Sequence, residues 1–399
     1  MSLNDTPRAD RLHLGLFGRR NSGKSSLLNA LTGQEIAIVS DVAGTTTDPV
    51  YKAMELHAVG PVVFIDTAGF DDDSELGEQR VNLTAKAADK TDIALVLFSD
   101  ENFAEELSWV ERFKAAKTPV LPLISRADER EDGGAALAER LRAKGLEPLC
   151  VSARRPQDME KVRAALLALL PEDYATRSIT GGLAKDGDVV LLVMPQDIQA
   201  PKGRLILPQV QTIRDLLDKK CLVLSVTTDK MAQALAALKE PPQLIITDSQ
   251  VFPQVWEMKP AASRLTSFSA LFAHHKGDSA YFAESVRRLP QLGPEANILI
   301  AEACTHNTLD GDIGRIKIPN LLRKRLGDKI KITVVAGADY PEDLSGYDFV
   351  IHCGACMFNR RHVLARTAKA KLAGVPMTNY GIFLAYCAGI LDKIELPQD

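Results

Sequence analysis

The feature that most constrains this fold is a glycine-rich turn near the start of the chain. The segment Gly18-Arg-Arg-Asn21-Ser-Gly23-Lys24-Ser25 has the spacing G-x-x-x-x-G-K-S. It directly follows the apolar run LHLGLFG and leads into the helical pattern SSLLNALTG. In this setting glycines let backbone N–H groups surround phosphate oxygens at the N-terminus of a helix. The sequence therefore predicts a phosphate-binding loop between a strand and a helix.

Several side chains near this loop are expected to contact a nucleoside triphosphate and its Mg²⁺. Lys24 is expected to neutralise the β- and γ-phosphates, and the Ser25 hydroxyl to ligate Mg²⁺. A second motif, Asp66-Thr-Ala-Gly69, follows the strand-like run PVVFI. We expect the Asp66 carboxylate to hold Mg²⁺ through water and the Gly69 N–H to sense the γ-phosphate.

A threonine-rich segment, Gly44-Thr45-Thr46-Thr47-Asp48, lies between these two motifs. A threonine in a mobile loop can close over the γ-phosphate and complete the Mg²⁺ shell. We assign this role to Thr46, with Thr45 as the alternative. The three motifs in this order resemble the translation-factor-related GTPases, and within them the group of Era and the tRNA-modification GTPase.

The guanine-reading motif of that family, N-K-x-D, is replaced here by Ser125-Arg126-Ala-Asp128, after the run PVLPLI. Asp128 can still accept hydrogen bonds from guanine N1 and N2. The stem of Arg126 can still lie on the base. Ser152-Ala153 resembles the last nucleotide motif, in which a backbone N–H meets guanine O6. The resemblance therefore implies GTP and GDP as ligands.

The resemblance also bears on hydrolysis. Phe70 stands where Ras-like proteins place the glutamine that orients water, and phenylalanine cannot orient water. In the tRNA-modification GTPase group an asparagine at the position of Asn21 ligates K⁺, so K⁺-stimulated hydrolysis is expected. The acidic stretch 71–78 supplies a water-orienting carboxylate or is simply a solvated loop. The expected catalytic residues are Lys24, Asn21 and Thr46. The expected nucleotide site comprises Gly18, Asn21, Ser22, Gly23, Lys24, Ser25, Ser26, Thr45, Thr46, Asp66, Gly69, Arg126, Asp128, Ser152 and Ala153.

The whole chain alternates strand-like and helical patterns, which predicts an α/β protein. The first stretch, 1–171, is expected to be a P-loop domain with a parallel, doubly wound sheet. A polar, glycine-rich segment at 172–186 is interpreted as a linker. A small α/β unit follows within 172–265 and contains no catalytic cluster. The pattern resumes in 266–399 with the strand-like runs NILIAEA, IKITVVAG and YDFVI.

Two clusters of soft ligands lie in the last of these domains. Cys304 and His306 follow NILIAEA, and His352, Cys353 and Cys356 follow YDFVI. Both clusters fall at carboxyl ends of predicted strands, the edge where open α/β sheets place their sites. In a parallel sheet the crossover between them returns the chain to the same edge. The sequence therefore predicts that Cys304 faces the Cys-x-x-Cys pair.

Three thiolates select zinc or an iron–sulfur cluster. A structural zinc site needs four closed ligands, and His306 or His352 is a candidate for the fourth. A [4Fe–4S] cluster held by three cysteines leaves one iron exchangeable. The ligand chemistry leaves both metals open. The other three cysteines, Cys150, Cys221 and Cys387, lie in apolar runs and are interpreted as core residues.

The spacing C-x-H, a 45-residue gap and H-C-x-x-C, behind a GTPase domain and a small α/β unit, resembles the HydF family of [FeFe]-hydrogenase maturation GTPases. The resemblance implies a [4Fe–4S] cluster on the three cysteines with a labile fourth site. It implies a homodimer formed by the middle domain. It also implies a scaffold that receives a di-iron unit from radical-SAM maturases and delivers it to apo-[FeFe]-hydrogenase. The alternative is a ribosome- or tRNA-associated GTPase with a structural zinc module.

Charge and composition narrow the cellular setting. The net charge is −4 and the isoelectric point about 6.0, which gives no push toward nucleic acid or anionic membranes. No apolar run reaches the roughly 18 residues needed to cross a bilayer. The first residues lack the pattern of a signal peptide. We expect a cytoplasmic protein without a nucleic-acid or membrane partner.

Overall fold

The structure, a computed structural model, describes residues 7–33, 50–56, 59–67, 69, 77–170, 174, 178–195, 205–302, 313–337 and 339–397. Contacts between Cα atoms divide the chain into two compact units, Met1–Tyr174 and Ala175–Asp399. In the described part of the chain, no helix is both long enough and apolar enough to span a bilayer.

The first unit is built on a six-stranded sheet with the order β2-β3-β1-β4-β5-β6. All neighbours are parallel except β2, an antiparallel edge strand that the sequence analysis did not predict. The parallel, doubly wound P-loop fold is confirmed. Its strands are β1 (Leu12–Gly18), β2 (Val50–Leu56), β3 (Gly60–Asp66), β4 (Ile93–Phe98), β5 (Val120–Ile124) and β6 (Leu149–Cys150). Its helices are α1 (Lys24–Thr32), α2 (Gly77–Ala88), α3 (Ala104–Ala115), α4 (Ala135–Arg142) and α5 (Pro156–Ala168).

Helices cover both faces of this sheet. On one face, Leu28 of α1 and Val162 of α5 are buried in one apolar cluster with β1 and β3. On the other face, Phe113 of α3 and Leu141 of α4 are buried in a second cluster with β4. Because both faces are covered, the central strands are apolar throughout rather than alternating. Every residue of β1 and of β4 is buried.

The second unit begins with a parallel four-stranded sheet of order β10-β9-β7-β8. Its strands are β7 (Val189–Val193), β8 (Leu222–Val226), β9 (Leu244–Thr247) and β10 (Arg264–Ser267). Its helices are α6 (Leu207–Asp218), α7 (Met231–Ala237), α8 (Phe252–Met258) and α9 (Phe268–Lys276). The expected linker is partly wrong, because Ile179, Leu183 and Ala184 are buried in the core of this sheet.

A second parallel sheet of the same unit has the order β12-β11-β13-β14. Its strands are β11 (Asn297–Glu302), β12 (Lys331–Ala336), β13 (Phe349–His352) and β14 (Met377–Asn379). Its helices are α10 (Ser279–Val286), α11 (Ile318–Leu326), α12 (Arg360–Leu372) and α13 (Tyr380–Cys387).

The two sheets of the second unit share one apolar core. Residues from Leu191 of β7 to Phe383 of α13 belong to a single buried cluster. Helix α9 packs against α12 and α13, so the second sheet is supported by a helix that follows the first. The expected boundary between 265 and 266 falls inside β10, which pairs with β9. That boundary is therefore misplaced, because β10 completes the middle sheet.

Candidate functional site

The phosphate-binding loop joins β1 to α1 as the sequence predicted. Gly23 has φ of 91° and caps α1, which begins at Lys24. A Cβ at Gly18 would lie 2.7 Å from Ser22 Oγ and 2.9 Å from the Leu97 carbonyl oxygen, so a side chain there would clash. Lys24 is buried, and its Nζ donates to the Gly18 carbonyl at 2.8 Å. The lysine ammonium thus lies within the loop that would cradle phosphate.

The expected Mg²⁺ ligands also come together. Ser25 Oγ on α1 and Asp66 Oδ2 at the end of β3 are 3.3 Å apart. Burial raises the pKa of Asp66, while the Lys24 ammonium and the hydrogen bond from Ser25 act in the opposite direction. Beyond Asp66, the Thr67 hydroxyl donates to the Leu16 carbonyl at 2.6 Å and fixes the exit of β3 against β1. The hydroxyl and the carboxylate are the oxygen ligands that Mg²⁺ prefers.

Other parts of the predicted catalytic site lie outside the described residues. These are the threonines Thr45 and Thr46, Phe70 and the acidic residues 71–76. Gly69, predicted to sense the γ-phosphate, lies within the described residues, two positions after Thr67. The assignments of Mg²⁺ closure to Thr46 and of water orientation to the acidic stretch therefore stay predictions.

A cleft of about 620 Å³ adjoins the phosphate-binding loop, at the place predicted for guanine. Four residues predicted to read the base line it, namely Arg126, Asp128, Ser152 and Ala153. Two serine hydroxyls beside it, those of Ser22 and Ser125, are buried and have no hydrogen-bond partner among the described residues. Buried hydroxyls of this kind are usually satisfied by a ligand or water. The cleft is lined by Gly23, Ser26, Asn29, Ala30, Gly33, Arg126, Asp128, Glu129, Ser152, Ala153 and Arg154.

Asp128 is held as a carboxylate in this cleft. A hydrogen bond from the Ser152 hydroxyl lowers its pKa, and the Arg154 guanidinium, 3.2 Å away, lowers it further. Arg126 has φ of 54°, and its Nη2 donates to the Asn21 carbonyl at 2.5 Å. The base-reading segment is thereby tied to the phosphate-binding loop. Arg154 was not among the residues predicted from the sequence to read the base.

The second candidate site lies at the carboxyl edge of the β11–β14 sheet. Strands β11 and β13 are parallel neighbours, with Ala301 opposite His352. After β11 the chain continues to β12 on one side of this pair, and after β13 it continues to β14 on the other side. Such a switch point opens a crevice at the carboxyl ends of the strands. Cys304 and Cys353 follow these two strand ends, so the predicted juxtaposition of strand ends is confirmed. Cys304 and His306 themselves lie outside the described residues.

The Cys-x-x-Cys segment forms a tight loop between β13 and α12. The Cys353 N–H donates to the Ala301 carbonyl at 2.9 Å, which anchors the loop to β11. Ala355 is buried with φ of 48°, and its N–H points to Cys353 Sγ at 3.4 Å. This hydrogen bond holds the Cys353 sulfur within the loop. Among the described residues, no group of three or more His, Cys, Asp or Glu gathers as a metal site.

His352 is buried, and both of its ring nitrogens are engaged. Its Nδ1 lies 2.7 Å from the Cys353 carbonyl oxygen, and its Nε2 lies 3.0 Å from Arg366 Nη1. These partners require a proton on Nδ1 and a lone pair on Nε2. Burial and the Arg366 charge lower the pKa of His352 to about 3, so the ring is neutral. As a metal ligand His352 would have to surrender one of these bonds, so the arrangement favours a supporting role over the predicted ligand role.

Cys150, Cys221 and Cys387, interpreted from the sequence as core residues, are buried or partly buried. Burial raises the pKa of Cys150, Cys221 and Cys387. Of the three, Cys221 is the most deeply buried. His274 and His275 lie in the last turn of α9, directly before Lys276.

Family models cover most of both units. Residues 13–126 match the model described as 50S ribosome-binding GTPase. Residues 179–277 match the Hydrogen maturase F dimerization domain, and residues 280–396 match the Hydrogen maturase F tetramerization domain. The fold and the nucleotide site define a P-loop GTPase with an appended α/β module. The chain belongs to the hydrogen maturase F, or HydF, family.

Curated relatives match only part of this chain. The tRNA modification GTPase MnmE of Bordetella petrii is 36% identical over 40% of this chain and 33% of its own length. GTPase Der of Wolinella succinogenes is 48% identical over 22% of this chain and 19% of its own length. The chain thus spans about a third or less of these relatives. A crystal structure of Aquifex aeolicus Era bound to GDP·AlF4⁻ has a TM-score of 0.37 and 18% identity, covering 57% of this chain and 98% of that one.

Proposed function

We propose that this protein is a GTP-hydrolysing scaffold that binds a [4Fe–4S] cluster and carries a di-iron subcluster to apo-[FeFe]-hydrogenase. The observation that carries the proposal is the switch point between β11 and β13, where two cysteine segments leave neighbouring strand ends. The membership of both C-terminal domains in the HydF family supplies the hydrogenase context. Radical-SAM maturases and the apo-hydrogenase are the proposed partners, and a homodimer is the proposed minimal assembly.

The donor set fits an iron–sulfur cluster. Cys353 and Cys356 share one loop, and Cys304 follows the adjacent strand end. Since His352 is held by Cys353 and Arg366, it is not poised as a fourth zinc ligand. Three cysteines leave one iron of a [4Fe–4S] cluster without a cysteine, and such a position can exchange ligands. The cluster would supply an exchangeable iron to which a metal fragment can attach. The protein would supply the thiolates and the loop that holds them.

The first unit would hydrolyse GTP by positioning and charge stabilisation. Lys24 would neutralise the β- and γ-phosphates, and Ser25 with Asp66 would hold Mg²⁺, joined by Thr46 when its loop closes. The Gly69 N–H would sense the γ-phosphate, and Asp128 would read guanine. Asn21 would ligate a K⁺ ion that offsets charge in the transition state.

The cytoplasm is the proposed location, with neither nucleic acid nor membrane as a partner.

The metal assignment is tested by anaerobic reconstitution with iron and sulfide. The wild-type chain should take up about four irons and show the absorption and EPR signals of a [4Fe–4S] cluster. Cys353→Ala should lose the cluster and retain GTP hydrolysis. Cys387→Ala is the matched control, because Cys387 lies at the end of α13 in the same unit, and it should keep the cluster. Stoichiometric zinc in a colourless, anaerobically purified protein would refute the proposal.

The K⁺ assignment is tested by hydrolysis rates in K⁺ and Na⁺ buffers. Wild-type turnover should be at least about tenfold faster in K⁺, because a fixed cation offsets charge developing on the phosphates. Asn21→Ala should abolish this difference. Asn102→Ala, in an exposed position of the same unit, should preserve it. Equal wild-type rates in both salts would contradict the role given to Asn21.

A further inference from the structure

Lys276, the last residue of α9, has its side chain buried against the cysteine loop. Only 2% of the residue is exposed. Its Nζ donates to the Phe358 carbonyl at 2.8 Å, to the Cys356 carbonyl at 3.2 Å and to the Ala355 carbonyl at 3.4 Å. One ammonium therefore gathers three carbonyls of the segment that carries the Cys-x-x-Cys pair.

A buried ammonium is costly unless it is hydrogen-bonded, so this contact constrains the loop strongly. Bonds from a charged donor are roughly twice as strong as neutral ones. The Lys276 Nζ also lies 5.6 Å from the centre of the Phe272 ring, one turn earlier on α9. The Lys276 ammonium thus lies between the Phe272 ring of its own helix and the carbonyls of the cysteine loop.

The loop is also held from its other side. Arg366 of α12 donates to His352 Nε2 at 3.0 Å and to the Gly337 carbonyl at 2.5 Å. The guanidinium lies 4.6 Å from the centre of the Tyr340 ring. These contacts tie the end of β13 to the end of β12. The cysteine loop is thus fixed between α9 and α12. The carbonyl of its positive-φ residue, Ala355, accepts from Lys276 Nζ.

Lys276 and the cysteines belong to different family domains. Helix α9 ends within the part that matches the dimerization domain, residues 179–277. The loop lies within the part that matches the tetramerization domain, residues 280–396. The metal-binding loop is therefore completed by a side chain from the neighbouring domain.

We propose that Lys276 is a positioning residue for the metal centre, which holds the Cys353–Phe358 loop in its binding conformation from the adjacent domain. The inference rests on the proposed function, because it assigns a purpose to the loop as an iron-binding segment. It adds that the dimerization domain takes part in building the centre. A loop fixed in advance loses little conformational entropy when it binds metal.

The test compares Lys276→Met with the wild-type full chain, first without metal. Methionine keeps the length and apolar stem of lysine but cannot donate to the three carbonyls. Backbone amides of residues 353–359 should exchange with deuterium at least about tenfold faster in the variant. After reconstitution, iron should pass to a chelator at least about fivefold faster, and the EPR spectrum should broaden as the loop samples several conformations. Lys276→Arg, which keeps the charge and donors, should restore part of both properties.

Lys219→Met is the matched control. Lys219 is a partly buried lysine of the same unit whose Nζ donates to Thr180 Oγ1 at 2.8 Å and to the Ala184 carbonyl at 3.3 Å. Its loss should destabilise the segment 178–184 and leave exchange at 353–359 unchanged. Faster exchange at 353–359 in both variants would indicate general loosening and refute a specific role for Lys276.

The outcomes separate this inference from the proposed function. If the wild-type chain binds no iron under any anaerobic condition, the proposed function fails. If the wild type binds iron and Lys276→Met retains it equally well with unchanged exchange at 353–359, only the role of Lys276 fails. If Lys276→Met does not fold, the conservative Lys276→Arg variant decides. A folded Lys276→Arg chain whose loop exchange and iron retention are close to those of the wild type supports the contact. An unfolded Lys276→Arg chain overturns a local role for Lys276.

Discussion

At the scale of single residues, the nucleotide site is conventional in its phosphate half and unusual in its base half. Asp128 keeps the place of the guanine-reading carboxylate, and the Ser152 hydroxyl and Arg154 hold it ionised. Ser125 occupies the position of the usual asparagine, and its hydroxyl is buried. Base selection should therefore depend on Asp128 more heavily than in relatives that retain the full motif.

Replacing Asp128 by Asn should change base preference. Guanine offers N–H donors at N1 and N2, which a carboxylate accepts, whereas an amide N–H₂ would face the N2 donors unfavourably. We expect kcat/KM for GTP to fall by about 100-fold or more, and use of xanthosine triphosphate to rise. Hydrolysis assays with both nucleotides measure this. Asp132→Asn is the control, since Asp132 caps the Gly134 and Ala136 amides and does not line the cleft. An unchanged GTP preference in the Asp128 variant would show that another group reads the base.

Sequence predicted the phosphate-binding residues because their chemistry is local. Lys24 and Ser25 lie within one short motif, and Asp66 follows a clear apolar strand. Lys276 and Arg366 could not be predicted, because nothing in their local sequence shows that they are buried beside the cysteine loop. For the same reason the sequence left His352 as a candidate for the fourth ligand, since its bonds to Cys353 and Arg366 exist only in the folded chain.

At the scale of elements, most of the strands were predicted from their apolar runs, whereas β2, β10 and β14 were missed. Strand β2 is largely exposed, which blurs its apolar pattern, and β10 and β14 have only four and three residues. The supposed linker includes Thr180 and Ser178, which bond with the Asp215 carboxylate of α6. A polar segment can pack as part of a core when its polar groups are satisfied, and composition alone does not reveal this.

Helix α10 offers a test at this scale. Asp278 caps it, accepting from the Tyr281 N–H at 3.0 Å and from Lys371 Nζ of α12 at 2.7 Å. Asp278→Ala should lower the free energy of unfolding of the second unit by about 1 kcal/mol at pH 7. Urea unfolding followed by Trp256 fluorescence in a Trp109→Phe background measures this. Asp278→Asn keeps an acceptor and should lose less.

The acid dependence of this contribution has a defined sign. Burial raises the pKa of Asp278, but the bonds from Lys371 and the Tyr281 N–H outweigh it and hold the pKa below the ordinary 3.8. A carboxylate with a depressed folded pKa stabilises the fold above its unfolded pKa and loses that contribution as pH falls through the folded value. The difference between wild type and Asp278→Ala should therefore be constant from pH 7 to about pH 5 and shrink below about pH 4. A difference that grows on acidification would contradict the assignment.

At the scale of the whole molecule, the dimerization domain exposes apolar side chains beside an open strand edge. Strand β8 is the last in its sheet, and 64% of Leu222 is exposed. Leu217 and Val210 on α6 are 55% and 47% exposed. An open strand edge with apolar side chains is a surface suited to pairing with a second chain. Since this segment matches a dimerization domain, we propose that the second chain is another copy.

Leu222→Lys should therefore weaken self-association. A charge placed in an apolar contact between copies leaves an unpaired buried ammonium, so the dimer dissociation constant should rise at least about tenfold. Sedimentation and light scattering across a concentration series measure it. Leu167→Lys is the control, since Leu167 is an exposed leucine on α5 of the first unit. A dimer that resists Leu222→Lys and dissociates with the control would place the interface elsewhere.

The position of β13 and the cysteine loop late in the chain also sets an order of events during synthesis. The GTPase unit ends at Tyr174, whereas the cysteine loop and the Arg366 that holds it emerge about 190 residues later. At 5–20 residues per second, a nascent chain carries a finished nucleotide site for roughly 10–40 s before the metal loop exists. The GTPase unit can thus load nucleotide first. If the chain binds iron as proposed, its ligands come together only when β13 and α12 have joined β11, a strand made earlier. Metal loading would then be a late step in the life of each chain.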